Sequence, residues 1–279
     1  MLDTRVTTAS LAPSGLRPLP CGGRPILLLH GFLATPRALG RLAVRLRRSG
    51  YRAHCVDLGG LFGRFNTRTV EEMACILAER VEQLACDHPG ERIDLVGHSQ
   101  GGLVGRYYVQ KLNGAHRVRH LVTLGTPHRG TPWARSGHLV GRTLPSLREM
   151  APGSQLLRDL TDESFPDSVR LTSIYSRRDP FCPPSSCRLE CGQGTHLKNV
   201  EVAHGGHLVF LSSGRISSIV RRELESVEPP SAAGPRFAYA ASRCPPRAAT
   251  VDGPYGHLRH VLGYHSSLLV AHSGAVGDQ

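Results

Sequence analysis

The chain has 279 residues, 40% of them hydrophobic, with 31 glycines: enough to bury the core of one α/β domain and leave a tail. Thirty-four Lys and Arg against 22 Asp and Glu give a formal charge of +12, which raises the question of nucleic acid or an anionic membrane. The only lysines are Lys111 and Lys198, the arginines are scattered, and no basic stripe is interleaved with aromatics, so a nucleic-acid role is set aside.

In chain order, residues 1–24 read as a loose lead-in. Residues 1–20 lack the charged start and apolar run of a secretory signal, so a cytoplasmic location is the expectation. No segment reaches the roughly 20 apolar residues that cross a bilayer. Residues 25–30 form a short buried strand ending at His30-Gly31-Phe32. Thr35-Pro36 opens a helix whose apolar face is Leu39, Leu42, Ala43 and Leu46, and Gly50 stops it. A strand follows over 51–57. An amphipathic helix over 69–88 carries Val70, Met73, Ala74, Leu77, Val81 and Leu84 on one side. Strands over 92–97 and 118–124 bracket a helix over 100–112. Further strands fall at 169–175 and 199–203, and one helix over 208–225 closes the domain. Such alternation predicts an α/β fold: a mostly parallel sheet with helices on both faces.

The alternation breaks at about residues 131–168, which hold Trp133 and the leucines 139, 144, 147, 156, 157 and 160. This stretch reads as a helical cap or lid inserted above the strand ends. From Pro229 the composition turns to proline, small residues and histidine, so 229–279 reads as a weakly ordered tail, although 260–270 is apolar enough to dock. Eight cysteines are present. Cys55 and Cys75 lie in apolar patterns and read as buried thiols. Cys182, Cys187 and Cys191 share one loop with His196; free thiols are the first expectation there, then a local disulfide, then zinc, whose usual ligand spacings differ.

The most informative segment is Ile93-Asp94-Leu95-Val96-Gly97-His98-Ser99-Gln100-Gly101-Gly102-Leu103. A strand, G-x-S-x-G and a helix in immediate succession describe a turn that exposes the serine above the sheet. Gly97 and Gly101 remove bulk where the turn is tightest. The helix start directs amides to the place where negative charge develops in acyl transfer. A serine hydroxyl needs a base, and the base needs a carboxylate to hold it. Asp179, directly after the strand at 169–175, is the preferred acid; Asp159, Asp162 and Asp167 are rivals inside or beside the insertion. His207, preceded by Gly205 and Gly206, is the preferred base over His204. The amides of Gln100 and Phe32 are the candidate oxyanion donors. His98 is expected to pack under the turn rather than move protons.

These motifs resemble the α/β-hydrolase superfamily and, within it, bacterial triacylglycerol lipases and esterases. Gly97 to Gly102 and His30-Gly31-Phe32 are similar to the elbow and oxyanion motifs of those enzymes. The segment Leu124-Gly125-Thr126-Pro127-His128-Arg129-Gly130-Thr131 is similar to the one after their next strand. Met150-Ala151-Pro152-Gly153-Ser154 resembles part of their lid, and Gly206-His207-Leu208 their histidine motif. The likeness spans about 24–226 and leaves the cysteine loop and the tail without counterparts. It implies an α/β-hydrolase fold with a cap, domain limits near 25–228, a Ser99–Asp179–His207 triad, no cofactor and no metal. It also implies a small-molecule or lipid ester substrate, transient contact with a lipid interface, and a monomer. An acyltransferase or thioesterase with the same triad, or a non-catalytic lipid-binding protein on this scaffold, are the alternatives.

Overall fold

The computed structural model describes residues 23–59, 68–88, 90–134, 144–190, 196–203 and 205–226. Most of the lead-in, the tail, His204, Cys191 and the middle of the proposed cap lie outside the described residues.

Six strands, β1 (Pro25–Leu29), β2 (Arg52–Val56), β3 (Ile93–His98), β4 (Val118–Leu124), β5 (Arg170–Ser176) and β6 (Leu197–Val202), form one sheet in the order β2-β1-β3-β4-β5-β6. Every pairing is parallel. The helices are α1 (Gly40–Arg48), α2 (Val70–Asp87), α3 (Gln100–Lys111), α4 (Pro145–Glu149), α5 (Gln155–Asp162), α6 (Pro184–Cys187), α7 (Val209–Ser212) and α8 (Gly214–Glu225). Among the described residues, no helix is long and apolar enough to cross a membrane.

A strand alternates its side chains between faces, so β1 serves two cores at once. Ile26 and Leu28 pack with Leu42, Ala43 and Leu46 of α1 and with Val220 and Leu224 of α8. Leu27 and Leu29 pack with Met73, Leu77 and Val81 of α2 and with Leu103 and Val104 of α3. This two-sided burial explains why β1 reads as an unbroken apolar run. Helix α2 starts on a capping box: Thr69 Oγ1 accepts the Glu72 amide, and Glu72 accepts the Thr69 amide.

Two sequence expectations change. The closing helix is two helices, because Ser213 leaves helical geometry (φ −72°, ψ 130°) and its hydroxyl caps the Ile216 amide at the start of α8. The first helix begins as a 3-10 turn over Pro36–Leu39 before α1. The described part of the inserted region packs against the core. Leu147 and Met150, around α4, and Leu156, Leu157 and Leu160 of α5 are buried in the same core as α2 and α3. The described part of the insertion is therefore body, and a covering lid is not seen among the described residues. Cys55 and Cys75 are free but only half-buried, and Cys182 and Cys187 are free thiols buried against Tyr175.

At the amino ends of the strands, Asp94 and Arg119 form a buried bidentate pair, with Nε–Oδ1 at 2.9 Å and the second bond at 2.6 Å. Arg119 and Arg24 also donate to the Leu224 carbonyl at the end of α8. The pair thus joins β3, β4 and α8. Asp94→Ala strands a buried guanidinium and is expected to cost about 3–5 kcal/mol, whereas the apolar double variant Asp94→Leu/Arg119→Met should cost much less. Urea unfolding of the three proteins checks the order.

Candidate active site

Open parallel sheets bind ligands at the carboxyl ends of their strands, where the strand order reverses. Here the reversal falls between β1, whose next strand in sequence lies on one side, and β3, which lies on the other. The segments His30-Gly31-Phe32 and Ser99-Gln100 leave those two strands side by side.

Ser99 has φ 54° and ψ −125°, a backbone state costing about 1–3 kcal/mol for a residue with a side chain. Its surroundings hold it there. The Ser99 amide donates to the Leu124 carbonyl at 2.9 Å. Its own carbonyl accepts from Thr126 Oγ1 at 2.9 Å and from the Gly102 amide at 3.0 Å. A Cβ on Gly101 would lie 2.4 Å from the Leu29 carbonyl oxygen, and one on Gly31 would lie 2.8 Å from Ser99 Cβ. The loop after β1 and the elbow can touch only because both glycines are bare.

Asp179 follows β5 and is buried. Its Oδ1 accepts the amides of Phe181 and Cys182, both at 2.9 Å, which closes a tight turn on the carboxylate. Its Oδ2 accepts from His207 Nδ1 at 2.7 Å. Because a carboxylate accepts, Nδ1 carries the proton and Nε2 is left as the basic nitrogen. His98 sits beneath this pair, 4.7 Å from the His207 ring, and its Nε2 donates to the His207 carbonyl at 3.1 Å. Burial, then the neighbouring His207, push the His98 pKa down to about 3, so this imidazole stays neutral and supports the backbone of His207.

The structure therefore joins Asp179 to His207 directly and places Ser99 in the adjoining elbow. Gln100 opens α3, and Phe32 lies in the turn after β1, closed by the Ala34 amide on the Gly31 carbonyl at 3.2 Å. The rivals lie elsewhere: Asp159, Asp162 and Asp167 are exposed on or beyond α5, and His196 is exposed. Two contributors, Thr126 and Gly125, escaped the sequence reading, and His98, expected to pack under the turn, adds a bond of its own there. Thr126 holds the Ser99 carbonyl, His98 holds the His207 carbonyl, and Gly125 (φ 56°) clears the space beside the acid. Thr126 and Gly125 lie in the segment that had been noted only for its resemblance.

Comparison with known proteins bears on the fold that carries this site. The family model for palmitoyl protein thioesterase matches residues 25–159. A GPI inositol-deacylase of Candida albicans is 28% identical over 184 residues, 58% of this chain and 40% of that protein. A triacylglycerol lipase of Pseudarthrobacter phenanthrenivorans is 28% identical over 116 residues, 39% of this chain and 35% of that one. The chain thus spans well under half the length of the curated relatives it matches. Among solved structures, the mature Bacillus licheniformis lipase superposes with a TM-score of 0.60 at 17% identity, covering 76% of this chain and 95% of that one. A metagenomic carboxyl esterase superposes with a TM-score of 0.58 at 17% identity, covering 75% and 79%. The chain has the α/β-hydrolase fold. Within that fold its sequence is similar to lipases, esterases and thioesterases.

A Cβ on Gly125 would lie 3.0 Å from Asp179 Oδ2 and 3.3 Å from His207 Nδ1. Gly125→Ala is expected to fold, since left-handed backbone costs alanine only about 1–2 kcal/mol. Displacing the acid–base pair should lower kcat by about 10- to 100-fold. Circular dichroism beside steady-state kinetics separates the two effects.

Proposed function

We propose that the protein is a serine hydrolase of carboxylic esters, acting on acyl lipids through an acyl-enzyme. The observation that carries this reading is the 2.7 Å Asp179–His207 bond beside a serine with positive φ at a strand-to-helix turn. Ser99 Oγ attacks the ester carbonyl while His207 Nε2 takes its proton. Asp179 keeps the imidazolium oriented and compensates its charge. The amides of Phe32 and Gln100 receive the oxyanion. The proton then passes to the leaving alcohol, and water, activated by the same histidine, releases the acid.

The apolar rim supports a lipid substrate and contact with a lipid interface. Among the described residues, the large exposed hydrophobics are Leu33, Val44, Trp133, Phe181, Leu208 and Val209. Leu33, Trp133, Phe181 and Leu208 lie in connecting segments around the site, and Val209 opens α7. The Trp133 ring stands 6.1 Å from Phe32 and 6.0 Å from Phe181, which in turn stands 5.6 Å from His207. An apolar wall therefore runs from the oxyanion loop to the base, where an acyl chain would lie.

A thioesterase is the second reading, favoured by the palmitoyl protein thioesterase match over 25–159. The acyl-enzyme is common to both, so oxyester and thioester substrates with one acyl chain separate them by kcat/KM.

Ser99→Ala should reduce p-nitrophenyl ester turnover on the order of 10⁴-fold or more. Unchanged turnover in the purified variant refutes the serine mechanism. Trp133→Ser/Leu208→Ser removes two side chains worth about 1.5–3 kcal/mol each when buried in lipid. Its activity on emulsified long-chain triacylglycerol should fall at least about tenfold further than its activity on dissolved p-nitrophenyl acetate. Equal losses on both substrates count against the lipid-facing rim.

A further inference from the structure

The reading of the site asks one backbone amide, that of Phe32, to point at the substrate oxygen. Nothing in a loop containing glycine guarantees this, because a peptide unit beside glycine can rotate at little cost. The Gly31–Phe32 peptide is trans, so its N–H points opposite to its C=O. Whatever fixes the carbonyl of Gly31 therefore aims the amide of Phe32.

Two donors fix that carbonyl. The Ala34 amide reaches it at 3.2 Å, and His30 Nδ1 lies 3.1 Å from it. The tautomer of His30 follows from its other nitrogen: the Leu58 amide, just past β2, donates to His30 Nε2 at 3.3 Å. A nitrogen that accepts carries no proton, so the proton is on Nδ1 and is given to Gly31. The ring is buried, and burial lowers its pKa from the ordinary imidazole range, which preserves the neutral form with one donor and one acceptor.

β1 lies between β2 and β3. The His30 ring is anchored at the β2 side, and Gly31 lies against the elbow on the β3 side, where a Cβ on it would come within 2.8 Å of Ser99 Cβ.

We propose that His30 is a positioning residue: its Nδ1–H holds the Gly31 carbonyl and thereby presets the Phe32 amide as an oxyanion donor. This rests on the serine-hydrolase reading above. It differs from a merely structural role, in which His30 would matter only by tying the β1 loop to Leu58.

Two substitutions separate the roles. His30→Asn places an amide N–H where Nδ1 was but cannot reach Leu58. His30→Gln reaches Leu58 with its oxygen but offers no donor at the Nδ1 position. With p-nitrophenyl butyrate, His30→Gln should lose about 100-fold in kcat with KM within about threefold, the effect of losing one oxyanion donor. His30→Asn should stay within about fivefold of wild type, even though its melting temperature is the lower of the two. Crystal structures should show the Gly31–Phe32 peptide rotated in the Gln variant and native in the Asn variant. Gln matching or exceeding Asn in kcat, or a native peptide in the Gln variant, overturns the proposal. A wild-type protein that turns over no ester removes the hydrolase reading instead, and the peptide orientation in the Gln variant still decides what His30 holds.

Discussion

The backbone of Ser99 is the constraint on which the site depends. A residue with a side chain keeps φ 54° and ψ −125° only when its surroundings leave no better choice. Here they come from two strands and a helix. β4 supplies the Leu124 carbonyl and, just beyond it, the Thr126 hydroxyl, α3 returns the Gly102 amide, and β1 presses its own carbonyls against Gly101. Each contact is short-range and directional, so the serine hydroxyl is aimed before any substrate arrives. This is the sense in which a rigid scaffold can do chemistry: orientation is fixed during folding and costs nothing at the moment of reaction.

The two ends of the sheet divide the work. At the amino ends, Asp94 and the guanidinium groups of Arg119 and Arg24 lock β3, β4 and α8 together through buried charge. At the carboxyl ends, the same strands release loops carrying Phe32, Ser99, Thr126, Asp179 and His207. Strain is tolerated at one end because the opposite end and the two apolar layers hold the strands in register. Exposed Trp133, Phe181 and Leu208 would be poor choices for stability alone. They fit a surface that meets an apolar ligand.

How much of this was legible in the sequence depended on the range of the interaction. The elbow is local: strand, G-x-S-x-G and helix occupy consecutive residues, so its residues could be named directly. Asp179 and His207 are 28 positions apart, and were found because parallel sheets put functional residues just past strand ends. What stayed hidden was side chain meeting distant backbone. Neither Thr126 on the Ser99 carbonyl nor His98 on the His207 carbonyl leaves a periodic trace. The break at Ser213 was masked because a serine cap inside an apolar 3.6-residue rhythm does not interrupt the rhythm. The leucines of 144–160 were read as part of a cap above the strand ends; Leu147, Leu156, Leu157 and Leu160 are buried in the core of α2 and α3. Periodicity tells which face is covered, not what covers it.

Histidine shows most clearly how environment rather than residue type allots chemical roles. His30 and His98 flank the elbow and His128 lies beyond β4; burial lowers the pKa of each, that of His98 to about 3. Their nitrogens serve fixed partners instead: Gly31 and Leu58 for His30, the His207 carbonyl for His98, and Thr123 Oγ1 for His128. A buried neutral ring can hold a loop but is a poor store for a proton. His207 differs in both respects. Its side chain keeps 12% of its surface exposed, and the Asp179 carboxylate stands ready to compensate an imidazolium charge. Of the three histidines around the elbow, burial commits His30 and His98 to architecture and leaves His207 as the one beside a carboxylate, the setting that the proposed mechanism requires.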